Sequence, residues 1–408
     1  MRYCSQCLMP DTRPGLVFNE VGVCQACLWH EKKRQIDWET RERDLCDLVE
    51  SAKSSSRSSW DCVVGVSGGK DSTWQAMYLK EKLGLNPLLV QFVGSDGTKT
   101  GRQNIENLIK KGFSHISIQP NAKLARQLAR KSFHKFGNIV KYSDYALFPI
   151  PFRVAMAYDI PLVFFGENPA LEAGDRNSVG LGWDAINIKH NNTLDGSNLD
   201  VWKGEGIEER DLIQYSFPSE DEFKLWGGQG IFMGYFLNWS VYRNGIYAYQ
   251  LGMEGIDADY HDIGIPYRHN CLDSNNGGIV NSMLKHIKLG FGNATEFLCY
   301  DVRDGRVTRQ EAIKLVKELD GRCHQRYVKD FCNWIDITEK EFWETANSYR
   351  GNMWEKSGAN NWRLKNPIWE QEPCADDISL DEIIERIDTK RIAEESAALS
   401  IYEPYDKL

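Results

Sequence analysis

The residues best equipped for chemistry are Ser67-Gly68-Gly69-Lys70-Asp71-Ser72, which follow the apolar run Val63-Val64-Gly65-Val66 and lead into a helical pattern. Glycines at 68 and 69 let the backbone take positive φ and approach a ligand with no Cβ in the way. Ser67 and Ser72 add hydroxyl donors, Lys70 a mobile cation, and Asp71 a carboxylate able to hold Mg²⁺. If the turn opens a helix, unpaired N–H groups and the positive end of the helix dipole converge on one spot. Such a spot suits a polyphosphate, and the nucleotide-binding set expected from this stretch is Val66, Ser67, Gly68, Gly69, Lys70, Asp71 and Ser72. It is not the common nucleotide triphosphatase loop, because Val64 and Asp71 stand where that pattern needs Gly and Ser or Thr.

A second constellation lies near the amino terminus. Cys4 and Cys7 form one Cys-x2-Cys knuckle, Cys24 and Cys27 another, and residues 8–23 separate them. Four thiolates so spaced can surround Zn²⁺ tetrahedrally, with Pro10, Gly15 and Gly22 supplying turns. A closed four-thiolate site leaves no position for water, so its task is folding or docking. His30 reads as a surface histidine beside an already complete ligand set.

The elements that must position these groups follow from pattern. The chain has 408 residues, more than one core usually serves, and is 42% hydrophobic and 26% charged, as expected of a soluble enzyme. Its first residues lack the apolar run of a signal peptide, and the most apolar stretch, 230–251, is interrupted by Asn238, Arg243 and Asn244. The expectation is a cytoplasmic protein with no membrane span. A net charge of −9 argues against a broad grip on nucleic acid. Residues 99–141 nevertheless carry ten Lys or Arg against Glu106 alone, and residues 367–408 twelve Asp or Glu against four Lys or Arg. The first run suits an anionic substrate, with Arg126 and Arg130 as candidates, and the second a partner protein.

Strand and helix signals alternate from Cys62 to Phe165. Strands are predicted at 62–66, 87–93, 114–119 and 161–165, with helices at 71–83, 101–111, 122–136 and 145–157, the last broken near Pro149 and Pro151. This alternation predicts an α/β fold with a doubly wound parallel sheet, whose ligand sits beyond the carboxyl ends of the strands. The sequence divides into a zinc module (1–35), a helix and linker (36–60), a nucleotide-binding domain (61–230) and a helical carboxyl-terminal region (231–408) that completes the site and caps the fold. Residues 170–223, rich in Gly, Asn and Asp, read as a lid or substrate loop, and 230–251 as helical core. Cys271, in the polar stretch from Tyr267 to Ser274, reads as an inert thiol.

Ser-Gly-Gly-x-Asp-Ser resembles the PP-loop of the ATP pyrophosphatases, of adenine nucleotide alpha hydrolase-like fold. These enzymes adenylate a substrate oxygen and then let a nitrogen or sulfur nucleophile displace AMP. On that resemblance Gly166-Glu167-Asn168, at a strand end, is the second nucleotide motif, and Gln91 and Phe92 join the ATP-binding set. Lys288 and Arg303 are then basic residues reaching the departing pyrophosphate, catalytic together with Lys70 and Asp71. The whole order, from the paired knuckles through Ile36-Asp37-Trp38 and the loop to Arg303–Glu311, resembles the N-acetyl sugar amidotransferases of bacterial surface polysaccharide biosynthesis. That resemblance implies conversion of an acetamido to an acetamidino group in LPS O-antigen or a related glycan. It also implies ATP, Mg²⁺ and structural Zn²⁺, an N-acetylated, nucleotide-linked sugar, and ammonia from a separate glutaminase subunit. tRNA thiolation enzymes share the knuckles and the loop, but their catalytic-domain cysteines have no counterpart between Cys62 and Cys271. A nucleotide-binding adaptor would not need the full set Ser67, Lys70, Asp71 and Ser72.

Overall fold

Strands covered on both faces must be apolar at consecutive positions, and the runs at Cys62, Pro87 and Leu162 are. The computed structural model describes residues 1–408 apart from 57, 95, 176–179, 271, 359–360 and 402–408, so Cys271 lies outside the described residues. Helix α1 (Gln25–Lys33) follows the second knuckle, and α2 (Trp38–Ser55) starts at Asp37, whose side chain accepts from Thr40 N. Then come β1 (Cys62–Gly65), α3 (Lys70–Met77), β2 (Pro87–Phe92), α4 (Lys99–Lys110), β3 (Ser114–Ile118) and α5 (Ala122–Phe136). Next are α6 (Lys141–Leu147), α7 (Pro149–Ala157) and β4 (Leu162–Phe165), in the expected alternation. The helix expected to reach Leu83 leaves α geometry after Met77 and finishes as a π turn over Tyr78–Lys82.

A short α8 (Pro169–Glu172) and α9 (Glu220–Trp226) precede β5 (Gln229–Phe232). The sheet has the order β3-β2-β1-β4-β5 with every neighbouring pair parallel. Val63, Leu88, Val90 and Val163 point into the core on one face, and Cys62, Val64, Leu89, Leu162 and Phe164 into the core on the other. The fifth strand corrects the sequence reading, which made residues 230–232 the start of a helical stretch. A short, continuously apolar run carries no period to tell strand from buried helix.

The region beyond is α10 (Met233–Phe236), α11 (Val241–Gln250), α12 (Tyr260–Ile263), α13 (Asn281–Leu289), α14 (Asn293–Arg303) and α15 (Arg309–Leu319). It continues with α16 (Gln325–Ile335), α17 (Glu339–Ser348), an antiparallel pair β6 (Trp354–Lys356) and β7 (Trp362–Leu364), α18 (Ile368–Gln371), α19 (Leu380–Ile387) and α20 (Thr389–Glu395). Among the described residues no helix is long and apolar enough to cross a membrane. The amino-terminal knuckles are not a separate body. Cys4, Leu8, Val23 and Cys27 share one core with Leu298, Cys299, Ile313 and Leu315 of α14 and α15 and with Ile383 of α19.

Residues 180–223 are not a lid. Ile188, Leu194, Trp202, Leu212 and Tyr215 are buried in the main core, and the Trp202 ring meets the Tyr145 ring edge-on at 5.4 Å. This segment lacks regular ladders, so its carbonyls need other partners, and the basic run supplies them. Lys131 Nζ donates to the Lys203 carbonyl at 2.6 Å, Lys135 to Val201 at 3.2 Å, and Lys141 to Thr193 at 2.5 Å. Arg130 faces Glu341 at 3.7 Å and Arg126 is exposed, and neither lines the cavities around the loop. Part of the positive stretch is thus internal structure. If Trp202 is core, Trp202→Ala should lower stability by about 3–5 kcal/mol in urea unfolding, whereas a lid tryptophan would leave the midpoint nearly unchanged.

Candidate active site

In the order β3-β2-β1-β4-β5 the sheet extends in one direction from β1 to β2 and β3 and in the other to β4 and β5. The loops after β1 and β4 therefore diverge and leave a crevice at the carboxyl ends of the strands. The loop after β1 is Val66 to Gly69, with Gly69 as N-cap of α3. Gly68 has φ +82°, and a Cβ there would stand 2.5 Å from the Gly101 carbonyl oxygen in the first turn of α4. Asn104 of α4 donates to the Gly68 carbonyl at 2.9 Å and to the Glu254 carbonyl at 3.0 Å, and accepts from Glu254 N at 2.8 Å. The hydroxyls of Ser72 and Thr73 turn back onto the Gly69 carbonyl at 3.2 and 2.9 Å. The loop is fixed from both sides before any ligand arrives.

Lys70, 7% exposed, donates to Asp71 Oδ2 at 2.7 Å and to Asn270 Oδ1 at 2.9 Å. The other Asp71 oxygen accepts from Asn244 of α11 at 2.9 Å. Glu167, just beyond β4, lines the same cavity of about 110 Å³ with Tyr242, Tyr267, His269, Asp301, Arg306 and Thr389. Glu167 is open to that cavity, yet desolvation by its walls and then the Asp71 carboxylate push its carboxyl up to about 7. Burial likewise pushes Asp301 up to about 6 against the pull of Arg306, its ion-pair partner. Burial, then Lys70 and Arg306, hold His269 well below the usual histidine range, so the ring is neutral at pH 7; its Nδ1 lies 2.6 Å from Thr389 Oγ1.

A larger cavity, about 200 Å³, opens on the α4 side of the loop. Gln91 and Phe92 at the end of β2 line it, with Thr98, Gly101 and Arg102 of the α4 entrance and Tyr142, Ile139 and Trp334. Three acids face it: burial raises Asp96, pushes Asp144 up to about 7 and, with Asp96 adding to it, pushes Asp273 up to about 6. Gly101, against which Gly68 packs, lines this larger cavity, while Lys70 and Asp71 line the other.

Of the expected site residues, Lys70, Asp71 and Glu167 line the Lys70 cavity, and Gln91 and Phe92 the larger one; Val66 to Gly69, Ser72 and Gly166 are not among the residues lining either. Asn168, Lys288 and Arg303 also lie elsewhere. Asn168 is fully buried, caps α8 by accepting from Ala170 N at 2.8 Å, and donates to the Gly180 and Gly182 carbonyls. Lys288 donates to the Phe136 carbonyl at 2.7 Å, outside the Lys70 cavity. Arg303 stacks 4.5 Å over Tyr300 and lines a small cleft with Cys24 and Glu172. The guanidinium beside Lys70 is that of Arg306, three residues on, and only the fold tells the two arginines apart. Asn244, Asn270, Tyr242 and Thr389 carry no sequence signal, being ordinary residues brought in by α11, α20 and the loop before α13.

The four knuckle thiols lie within 4.8 Å of one another, with Cys4 and Cys27 sulfurs 3.8 Å apart and Cys7 and Cys24 sulfurs 3.7 Å apart. Tetrahedral Zn²⁺ with Zn–S of about 2.3 Å sets its sulfurs about 3.8 Å apart, so the residues fit the metal. The N–H groups of Gln6 and Cys24 point at Cys4 Sγ, as suits a thiolate, and His30 faces Asp304 instead. From this module α1 reaches the second motif. Trp29 Nε1 and Lys33 Nζ both donate to Glu172 Oε1, at 2.9 and 2.8 Å, and Lys33 also to the Trp239 carbonyl at 2.7 Å.

Replacing Cys27 with Ser should remove one zinc equivalent by metal analysis and lower stability by several kcal/mol, with the melting temperature as readout. For Glu167 the sign follows from linkage. The folded carboxyl keeps its proton to about 7, the unfolded one releases it near 4.5, and so the native state binds more protons between those values. Without nucleotide or divalent cation, stability should fall as pH rises from 4.5 through 7, and Glu167→Gln should flatten that slope; thermal melts across the window would show identical slopes if Glu167 were ordinary.

Residues 256–368 match the family model described as LPS biosynthesis protein WbpG-like, C-terminal domain. Among solved structures the chain is similar to the NMN synthetase from Francisella tularensis, with 14% identity and a TM-score of 0.26 over 47% of this chain and 93% of that one. No curated protein matches it in sequence. The family match covers His269, Asn270, Asp301 and Arg306, the carboxyl-terminal wall of the Lys70 cavity, and lies apart from the Ser67 loop that carries the PP-loop resemblance. Residues 256–368 are thus similar to the C-terminal domain of the WbpG-like LPS biosynthesis proteins, in a chain whose parallel sheet holds the Ser67 loop at its switch point.

Proposed function

We propose that this chain is the AMP-forming synthetase subunit of an amidotransferase that converts a sugar N-acetyl group to an acetamidino group, with ammonia from a separate glutaminase. The observation that carries the reading is the meeting of Lys70 and Asp71 from the start of α3, Glu167 from the loop after β4 and Arg306 from the WbpG-like segment around one cavity at the strand ends. Two cations and three carboxylates there, Asp301 being paired with Arg306, suit a pyrophosphate with its divalent counter-ion. ATP then lies with its nucleoside toward Gln91 and Phe92 and its outer phosphates toward Lys70 and Arg306.

An acetamide carbon is a poor electrophile because nitrogen density feeds its carbonyl. Its oxygen attacks the α-phosphorus, the bond to the β-phosphate oxygen breaks, and pyrophosphate leaves. Ammonia then adds to the O-adenylated imidate carbon and the C–O bond to AMP breaks, giving amidine and AMP, with a proton released. Fixed donors around the leaving pyrophosphate lower the first barrier, and alignment of oxygen with phosphorus lowers it further. Asp71 and Glu167 are hard oxygen donors fitted to Mg²⁺, and the Lys70 ammonium bridging Asp71 and Asn270 marks a place made for positive charge. Bound there, Mg²⁺ would neutralise pyrophosphate charge.

The test is incubation with ATP, ammonium and candidate N-acetylated sugars, followed by nucleotide analysis and mass spectrometry. AMP and a sugar in which NH has replaced O are expected, and Lys70→Ala should slow AMP formation by about 100-fold. ADP and orthophosphate in place of AMP would overturn the reading.

A further inference from the structure

The Lys70 cavity shares part of its lining with a second cavity. A neighbouring cavity of about 300 Å³ lies between the Tyr260–His269 stretch and helices α19 and α20, and Tyr267, His269 and Thr389 line both. Tyr267 is 6% exposed, and its hydroxyl has no hydrogen-bond partner among the described residues. A buried unpaired hydroxyl costs free energy that a small polar guest would recover. On the outer side Asp381, Glu385 and Asp388 line the cavity with Arg268 as counter-charge. These carboxylates belong to the acidic stretch 367–408, which the nucleotide site does not otherwise use.

The charge decides what can pass. A mouth carrying three carboxylates repels ATP and a nucleotide-linked sugar, both polyanions, and gathers small cations. The far side of the loop already offers the larger cavity at Gln91 for the nucleotide. Resting on the amidotransferase reading, we propose that this acidic mouth is the separate entrance for ammonia, gathered there with its conjugate acid, and that Tyr267, His269 and Thr389 form the neck. The Tyr267 hydroxyl offers the passing nitrogen a partner, and the neck leads it into the cavity that Glu167 also lines, where the imidate carbon would stand.

Two experiments on the full chain test this. In Thr389→Cys, a cationic methanethiosulfonate reagent should label residue 389 about tenfold faster than an anionic one of similar size, by peptide mass spectrometry. The preference should vanish when Asp381 and Glu385 are made Asn and Gln. No labelling, or equal rates, would overturn the entrance. Tyr267→Phe keeps the ring and the packing, and should raise the KM for ammonium chloride about fivefold with no matching rise in the KM for ATP. A stability change with an unaltered ammonium KM would make the hydroxyl merely structural and sink the neck. The labelling needs no turnover, so absence of AMP would count against the amidotransferase reading alone, and unselective labelling with AMP formed would count against the entrance alone.

Discussion

The closeness of two backbones, the turn at Gly68 and the first turn of α4 at Gly101, is the constraint on which the site depends. A side chain at residue 68 would need both a left-handed backbone and space already occupied by a carbonyl oxygen 2.5 Å away. Asn104, 3% exposed and satisfied on both ends of its amide, locks that approach by tying the Gly68 carbonyl to the Glu254 backbone. Through this contact the loop after β1 and the entrance of α4 are held together, with Lys70 and Asp71 lining one cavity and Gly101 the other.

The electrostatics of the two cavities differ accordingly. Around Lys70 the charges are mixed and already paired, with Lys70 on Asp71 and Asn270, and Arg306 on Asp301. Pairing of this kind keeps buried charges tolerable and leaves groups that can exchange a protein partner for a phosphate or a cation. In the larger cavity three acids are raised by burial, and Asp144, pushed up to about 7, is partly protonated near neutrality and can act as donor as well as acceptor.

Much of this was legible in the sequence, for identifiable reasons. The loop Ser67–Ser72, the four cysteines, the first four strands and helices such as 122–136 and 309–319 are written in local chemistry: glycine where φ is positive, thiols at metal spacing, apolar residues at regular periods. What was illegible depends on contacts remote in sequence. β5 has no period to betray it; residues 180–223 look like a loop until Trp202 and Tyr215 find their core; Asn168 looks like a ligand until its amide is seen bracing Gly180 and Gly182. Arg303 and Arg306 sit three residues apart on one turn and at the helix end, and their opposite destinations are decided by what packs on each side.

The shared core of the cysteine knuckles with α14, α15 and α19 has a consequence for biosynthesis. Cys4 to Cys27 leave the ribosome long before residues 291–387 that bury them, and contacts so distant along a chain form slowly. Throughout that interval four thiols stand open to oxidants and to competing metals. Metal supply and redox state during translation should therefore govern the yield of folded chain, upstream of any effect on turnover.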